Sequence, residues 1–230
     1  VRRKGSEMST AVNPRRSRKR SLTLTDLADR FGPIDSWRVR TIPAPGTATE
    51  RDVLRIHDQE DRLCELVDGI LVEKDVGYEE SLIAGKLLTF LNMFVLPRRL
   101  GFVTGEAGMV RLATNGVRIP DVAFVSRKRL PAGKVPSQPI PPLVPNIAAE
   151  ALSRGNTVQE LDGKLRDYFA AGVELVWFID PRRRTVQVFT AADESFVMSE
   201  KQVLTGGDVL PGFKLKLRDL FADLSDRSPE

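Results

Sequence analysis

One cysteine and one histidine in 230 residues remove several chemistries at the outset. Cys64 has no partner within the chain for a disulfide. With His57 it falls short of the four thiolate or imidazole ligands of a structural zinc site. A serine-histidine-aspartate relay or a two-histidine metal site would have to use His57, which stands at a helix end among Asp58, Glu60 and Asp61 and reads as a surface residue. The glycine-containing stretches match neither a phosphate-binding loop of the Walker type nor a dinucleotide fingerprint. Long apolar runs are missing too: nothing approaches the roughly 20 residues of a membrane span, and nothing resembles a secretory signal. The expectation is a soluble, cytoplasmic protein with no membrane partner. Aromatic residues are few, and Trp37, Tyr78 and Trp177 form no stacking platform for bases; Trp177, within VELVWFID, reads as core.

Charge is plentiful but unevenly placed. Residues 1 to 20 hold eight basic side chains, including Arg15, Arg16, Arg18, Lys19 and Arg20, against Glu7 alone, for +7. The whole chain is at +4, so the remainder is at −3. A segment so poor in apolar residues cannot offset its ordering entropy by burial, and residues 1–21 are expected to be a disordered basic arm. Such an arm suits contact with nucleic-acid phosphates without reading of sequence; a plain solvated extension fits the composition equally well.

Beyond the arm, residues 22–48 read as a short helix (25–31) and a linker punctuated by proline and glycine, and residues 49–226 as one domain. Thr47 and Glu50 have capping-box spacing for a helix over 48–57. RLCELVDGILVEK predicts strands at 62–67 and 70–74 joined by a type I′ turn at Asp68-Gly69. Apolar residues at helical spacing from Leu82 to Phe94 predict a helix over 79–96, ended by Pro97. Strands follow over 101–126, with an Asn115-Gly116 turn and VRIPDVAFV (117–125) as one strand. Six prolines between Pro131 and Pro145 make a loop. A strand over 147–152 comes next, and then a helix opened by a Thr157/Glu160 capping box and closed by Gly172. VELVWFID, TVQVFTA and a stretch near 195–204 read as strands, and 217–224 as a short helix. Without a strict βα rhythm, the expected fold is α/β, a mixed central β-sheet flanked by helices.

What remains for chemistry is carboxylate and lysine. Asp121 follows Pro120 at the start of an apolar strand, and Glu150 lies inside another, IAAEAL. Charges in strands that read as buried are costly unless paired or bound to a cation. Two such carboxylates meeting on adjacent strands would offer oxygen ligands to Mg²⁺ or Mn²⁺, which could polarise a phosphate and activate water. Each also has a plain alternative: a turn or capping carboxylate for Asp121, and the partner of a buried arginine for Glu150.

The pattern resembles the PD-(D/E)XK nuclease superfamily and, more narrowly, the restriction endonucleases of the Uma2 family. The resemblance runs from about Thr49 to Leu224. It rests on ELVDGILVE (65–73), GYEESLIAGKL (77–87), RIPDVAFVS (118–126), the long stretch from Glu150 to Phe189, and DVLPGFKL (208–215). It implies a restriction endonuclease-like fold and a metal-dependent endonuclease acting on nucleic acid, more often DNA, with a nuclease-fold binding module as the alternative; a homodimer is compatible. By position it makes Asp121 and Glu150 metal ligands. The superfamily's lysine two places after the glutamate is replaced by Leu152, and Lys164 from the following helix matches the residue that takes over, to orient or deprotonate water and to stabilise charge. Its plain alternative is an i, i+4 pair with Glu160. Glu80 fits the glutamate of the opening helix as a third ligand, and Glu65 is a further recurrent acid, for which a structural role in the hairpin fits equally well. Where relatives read Glu-Val-Leu-Ser-Pro-Ser-Asn-Thr, this chain has Ser153-Arg154-Gly155-Asn156 in the loop, which predicts a looser connection there.

Overall fold

Asp68 and Gly69 both take positive φ, +48° and +80°, as a type I′ turn requires of its two central residues. The expected hairpin forms around them, β1 (Cys64–Val67) pairing antiparallel with β2 (Ile70–Glu73). A Cβ on Gly69 would lie 2.6 Å from the Gly46 carbonyl. The chain before the hairpin therefore passes directly over the turn, and the amides of Gly46 and Ala48 donate to the Gly69 carbonyl at 2.8 and 3.0 Å. The computed structural model describes residues 22–75, 77–113 and 116–224. The basic arm and part of the Asn115-Gly116 turn lie outside the described residues.

Helix α1 (Leu24–Phe31) starts on a reciprocal Thr23/Asp26 cap. Helix α2 (Glu50–Glu60) is capped by Thr49 with Asp52 instead of by Thr47 with Glu50. The Thr47 hydroxyl donates to the Ala44 carbonyl at 2.7 Å and Glu50 is drawn away to Arg111, so the start expected at 48 moves two residues on. Helix α3 (Tyr78–Val95) matches its expected span, and α4 (Val158–Ala171) runs from Thr157 to a left-handed Gly172 at φ +96°. The Thr157 box is only half formed: its hydroxyl accepts from the Glu160 amide, but the Glu160 carboxylate is committed to Arg38.

The strands β3 (Gly101–Thr104), β6 (Val122–Ser126), β7 (Ile147–Ala151), β8 (Leu175–Asp180), β9 (Thr185–Ala191) and β10 (Glu194–Ser199) make a six-stranded sheet in the order β10-β9-β8-β7-β6-β3. Only β7 and β8 are parallel, so the sheet is mixed. The hairpin joins β5 (Gly116–Arg118) and β4 (Val110–Ala113) in a second sheet, β2-β1-β5-β4. The single strand expected over 117–125 is thus two. Pro120 offers no N–H to a ladder, and at Ile119-Pro120-Asp121 the chain steps from one sheet into the other. The stretch near 195–204 also divides: after β10 the Gln202 amide closes a turn on the Ser199 carbonyl, and β11 (Val203–Gly206) pairs instead with β12 (Leu210–Lys216). Pro211 and a left-handed Gly212 hid β12 by interrupting its alternation. Helix α5 (Leu217–Phe221) ends three residues early.

Two helices cover opposite faces of the large sheet. Ile83, Leu87, Leu91 and Val95 of α3 pack with Phe124, Ile147, Ala149, Ala151 and Trp177; Trp177 is core and stacks on Phe213 at 6.2 Å. Leu165 and Tyr168 of α4 pack with Ala148, Val176 and Phe178. Strand alternation therefore turns Ala149 and Ala151 toward α3, and Ala148 and Glu150 toward α4. Residues 22–48 lie on this body: Phe31 joins Val67, Ile70 and Val72 in a small core, and Arg38 is 2% exposed. Among the described residues no helix is long and apolar enough to cross a membrane.

Candidate active site

The step between sheets sets the site. Val122 pairs with Ala149 in antiparallel register, so Asp121, one residue earlier, stands opposite Glu150, one residue later. The Asp121 carboxylate reaches over the end of β7, where its Oδ2 accepts from the Ala151 amide at 2.7 Å. Glu150 faces α4. There Glu160, Lys164 and Tyr168 recur at i, i+4 and i+8, a polar stripe on the buried side of the helix. Each has a partner outside its own helix. Arg38 donates to both Glu160 oxygens, at 2.6 and 3.0 Å. With Glu160 so engaged, Lys164 feels its charge but bonds elsewhere. Its Nζ donates to Glu150 Oε2 at 2.7 Å and lies 3.5 Å from Glu65 Oε1, while the Tyr168 hydroxyl donates to Glu150 Oε1 at 2.5 Å.

Glu65 extends the cluster inward. Its carboxylate accepts from Arg118 Nη1 at 2.7 Å and from the Ile119 amide at 3.1 Å. Arg118 in turn donates to Asp167 at 2.5 and 2.9 Å. Asp167, Arg118, Glu65, Lys164 and Glu150 thus form a row of alternating sign running from α4 through the small sheet to β7. Burial alone pushes the Glu65 carboxyl up, but Lys164, Arg118 and the Ile119 amide outweigh it and hold it down at about 2. For Glu150 burial prevails: the carboxyl is raised above its ordinary range, although Lys164 pulls it down. Burial lowers the Lys164 ammonium, yet Glu150 and Glu65 more than compensate and hold it above its usual value. Lys164 is therefore a fixed cation with its donors aimed at two carboxylates, and has no lone pair for a base. The Tyr168 hydroxyl is pushed well up by burial and by Glu150, and stays a donor.

The structure thus brings Asp121, Glu150, Lys164 and Glu65 together. It does not bring Glu80 to them. Glu80 is in the first turn of α3, which covers the sheet face opposite to the one carrying Glu150, and its carboxylate folds back toward Gly77, where an added Cβ would meet Oε2 at 2.0 Å. Among the described residues no three His, Cys, Asp or Glu side chains gather as a metal cage, so the three-carboxylate ligand set expected from sequence is not assembled. The Ser153–Asn156 loop is also firmer than its missing proline suggested. The Ser153 amide donates to Asn156 Oδ1 at 2.9 Å, its hydroxyl to Asp75 at 2.6 Å, and Arg38 Nη1 to the Gly155 carbonyl at 3.1 Å.

Sequence reasoning missed Lys74, Arg118 and Tyr168. Lys74 Nζ donates to Asp121 Oδ1 at 2.6 Å and to the Ile119 carbonyl at 2.8 Å. A signal existed for Arg118, a charge in a strand that otherwise reads as buried; Tyr168 was hidden in an apolar stripe, and Lys74 looked like an ordinary strand-end lysine. The donor set fits a small divalent cation in kind. Mg²⁺ takes oxygen ligands, commonly one or two carboxylates with the rest supplied by water and substrate phosphate. Asp121 and Glu150 are such a pair, and the ammonium beside Asp121 marks a place where the fold already accommodates positive charge.

The family model described as "Uma2: Putative restriction endonuclease" matches residues 51–218. Among solved structures, the chain is similar to "a putative nuclease belonging to DUF820 from Anabaena variabilis ATCC 29413", at 20% identity and a TM-score of 0.63 over 70% of this chain and 91% of that one. This likeness establishes a shared fold. No curated protein matches the chain.

Proposed function

The chain belongs to the Uma2 family of putative restriction endonucleases, and from that premise we propose that it is a metal-dependent endonuclease that hydrolyses phosphodiester bonds in DNA. The observation that carries the proposal is the facing of Asp121 and Glu150 across β6 and β7, with Lys164 bonded to one of them. In this reading the two carboxylates hold Mg²⁺ or Mn²⁺. The ion, when bound, polarises the phosphate and lowers the pKa of a coordinated water.

The chain's own residues do the rest. Asp121 is steadied by the Ala151 amide at one oxygen and by Lys74 Nζ at the other. Lys164 and Tyr168 lock the Glu150 rotamer from two sides. Lys164 also keeps a positive charge beside the carboxylate pair, where negative charge grows on the phosphate oxygens. Glu65 and Arg118 act through Lys164 and are positioning residues.

Cleavage of plasmid and oligonucleotide DNA should require Mg²⁺ or Mn²⁺. Asp121→Asn and Glu150→Gln, which keep shape but give up the charge and one acceptor each, should each lower the rate by about 10²-fold or more while leaving DNA retention in gel-shift experiments intact. Cleavage in EDTA, or full activity in either variant, would overturn the reading.

Two observations favour a second reading, a nuclease-fold module that binds nucleic acid without cutting it. Leu152 stands where the superfamily has lysine, and every oxygen of Asp121 and Glu150 already accepts a hydrogen bond. Binding without cleavage under all metal conditions would select it.

A further inference from the structure

Lys74 is built into the cluster differently from Lys164. Its backbone is fixed: the Lys74 amide donates to the Leu63 carbonyl at 2.9 Å, and the preceding carbonyl, of Glu73, accepts from Arg38 Nε at 3.0 Å. The side chain then reaches from the end of β2 across to the step between the sheets. Its ammonium has two oxygen acceptors, Asp121 Oδ1 and the Ile119 carbonyl, both of the hard type that a divalent cation also takes. Lys164 sits between two carboxylates that are themselves buried. The Lys74 side chain is as buried as that of Lys164, at 5%, but it has one carboxylate in contact, and that carboxylate is 15% exposed.

Charge balance gives this difference a consequence. With both lysines in place, Asp121 and Glu150 are matched one to one by ammonium groups 2.6 and 2.7 Å away. Glu65 and Asp167 against Arg118 bring the whole row to −1, so a divalent ion would take it to +1, an excess that a poorly solvated site opposes and that withdrawal of one ammonium removes. Removing Lys164 would strand Glu150 and Glu65. Removing Lys74 strands Asp121, its one carboxylate in contact, and takes a weaker pull from Glu150 and Glu65; the incoming ion itself would neutralise Asp121.

We propose that Lys74 is an exchangeable counterion: it neutralises Asp121 in the metal-free protein and leaves it when a divalent cation binds. The inference rests on the metal-dependent reading of the site given above. Lys74 then does more than shield a carboxylate. It keeps the metal-free site from presenting bare negative charge, and it sets the metal concentration at which the site loads.

The test is Mn²⁺ binding to the full-length chain without nucleic acid, followed by calorimetry or by the loss of the free-ion electron paramagnetic resonance signal. Lys74→Met and Lys74→Gln should bind Mn²⁺ about tenfold more tightly than the unaltered protein, whereas Lys74→Arg, which keeps the charge, should stay within about twofold. The rise in melting temperature on adding Mn²⁺ should be larger in Lys74→Met and Lys74→Gln. A second measurement needs no variant. Amine acetylation mapped by mass spectrometry should modify Lys74 several-fold faster with Mn²⁺ present than without, as the side chain moves out to solvent.

Equal or weaker Mn²⁺ affinity in Lys74→Met and Lys74→Gln, or Lys74 acetylation indifferent to Mn²⁺, would overturn the exchange. If metal-dependent cleavage stands in that event, only the role of Lys74 fails. If no form of the protein binds Mn²⁺, the exchange and the metal-dependent reading fall together.

Discussion

Glu150 and Asp121 face each other across one strand pair and are each bonded to a lysine at nearly the same distance, yet their surroundings differ. Glu150 belongs to the inner half of the cluster, where Glu65, Arg118, Glu150 and Lys164 are all between 2 and 4% exposed. Each of these four charges has at least one opposite charge in contact, and Lys164 and Arg118 each have two carboxylates. Asp121 belongs to the outer half: one lysine, one backbone amide and a path to solvent. A buried row of alternating sign tolerates the loss of no member, because the neighbour is left charged in a medium that cannot solvate it. An outer pair tolerates exchange. The inner half holds Glu150 rigidly, and the outer half, at Asp121, is where the proposed exchange of a counterion would begin.

The contrast can be broken most directly by stability. Glu150→Ala leaves Lys164 facing only the more distant Glu65, and should destabilise the fold by about 3–5 kcal/mol, the usual cost of removing one partner from a buried pair. Asp121→Ala leaves the buried Lys74 ammonium with the Ile119 carbonyl alone and should cost less, about 1.5–3 kcal/mol, the usual worth of a hydrogen bond to a charged group. Urea denaturation of the two variants decides it: equal costs would mean that the halves are energetically one unit.

A smaller effect sharpens the inner half. The folded Glu65 carboxyl is held at about 2, below its ordinary 4.5. A depressed acid contributes stability that is fully present above the ordinary value and is lost as pH falls toward the folded one. Melting temperature should therefore drop between about pH 5 and pH 2 in the unaltered protein. Glu65→Gln, lower at neutral pH, should show a flatter acid limb. An unchanged slope would remove Glu65 from the row.

The smallest effect concerns neither half. Deleting residues 1–20 should weaken binding to DNA and flatten its salt dependence, because basic side chains that displace counterions from phosphates are lost, while the melting temperature of the remainder stays the same. Fluorescence anisotropy at several salt concentrations measures both the affinity and its slope.

Much of this molecule was legible before any coordinates, and the exceptions have physical causes. Periodic and turn signals located α1, α3, α4, the β1–β2 hairpin, β8 and β9, because each is a local preference that packing reinforces. The divided strands were not legible. Whether VRIPDVAFV is one strand or two depends on which sheet each half joins, a tertiary choice to which Pro120 only points. In the site, the pairing of Asp121 with Glu150 and the approach of Lys164 followed from motif order and helix phase. Glu80 did not follow, because helix phase says nothing about which face of the sheet a helix will cover. Lys74 was out of reach for another reason: its role comes from a contact spanning 47 residues, and no local pattern marks a long-range salt bridge.

Arg38 has a bearing on where the protein can be cut. The family match begins at residue 51, but the guanidinium that closes over Glu160, the Glu73 carbonyl and the Gly155 carbonyl comes from thirteen positions earlier. Burial draws the Arg38 guanidinium down, yet Glu160 outweighs it and keeps it firmly protonated, a permanent rivet between the leading segment and the loop beside Glu150. A version trimmed to the family boundary would lose that rivet and the Phe31 plug together, leaving Glu160 charged in the interior and the outer side of the hairpin bare. A version that keeps α1 should therefore melt at a higher temperature than one trimmed to residue 51.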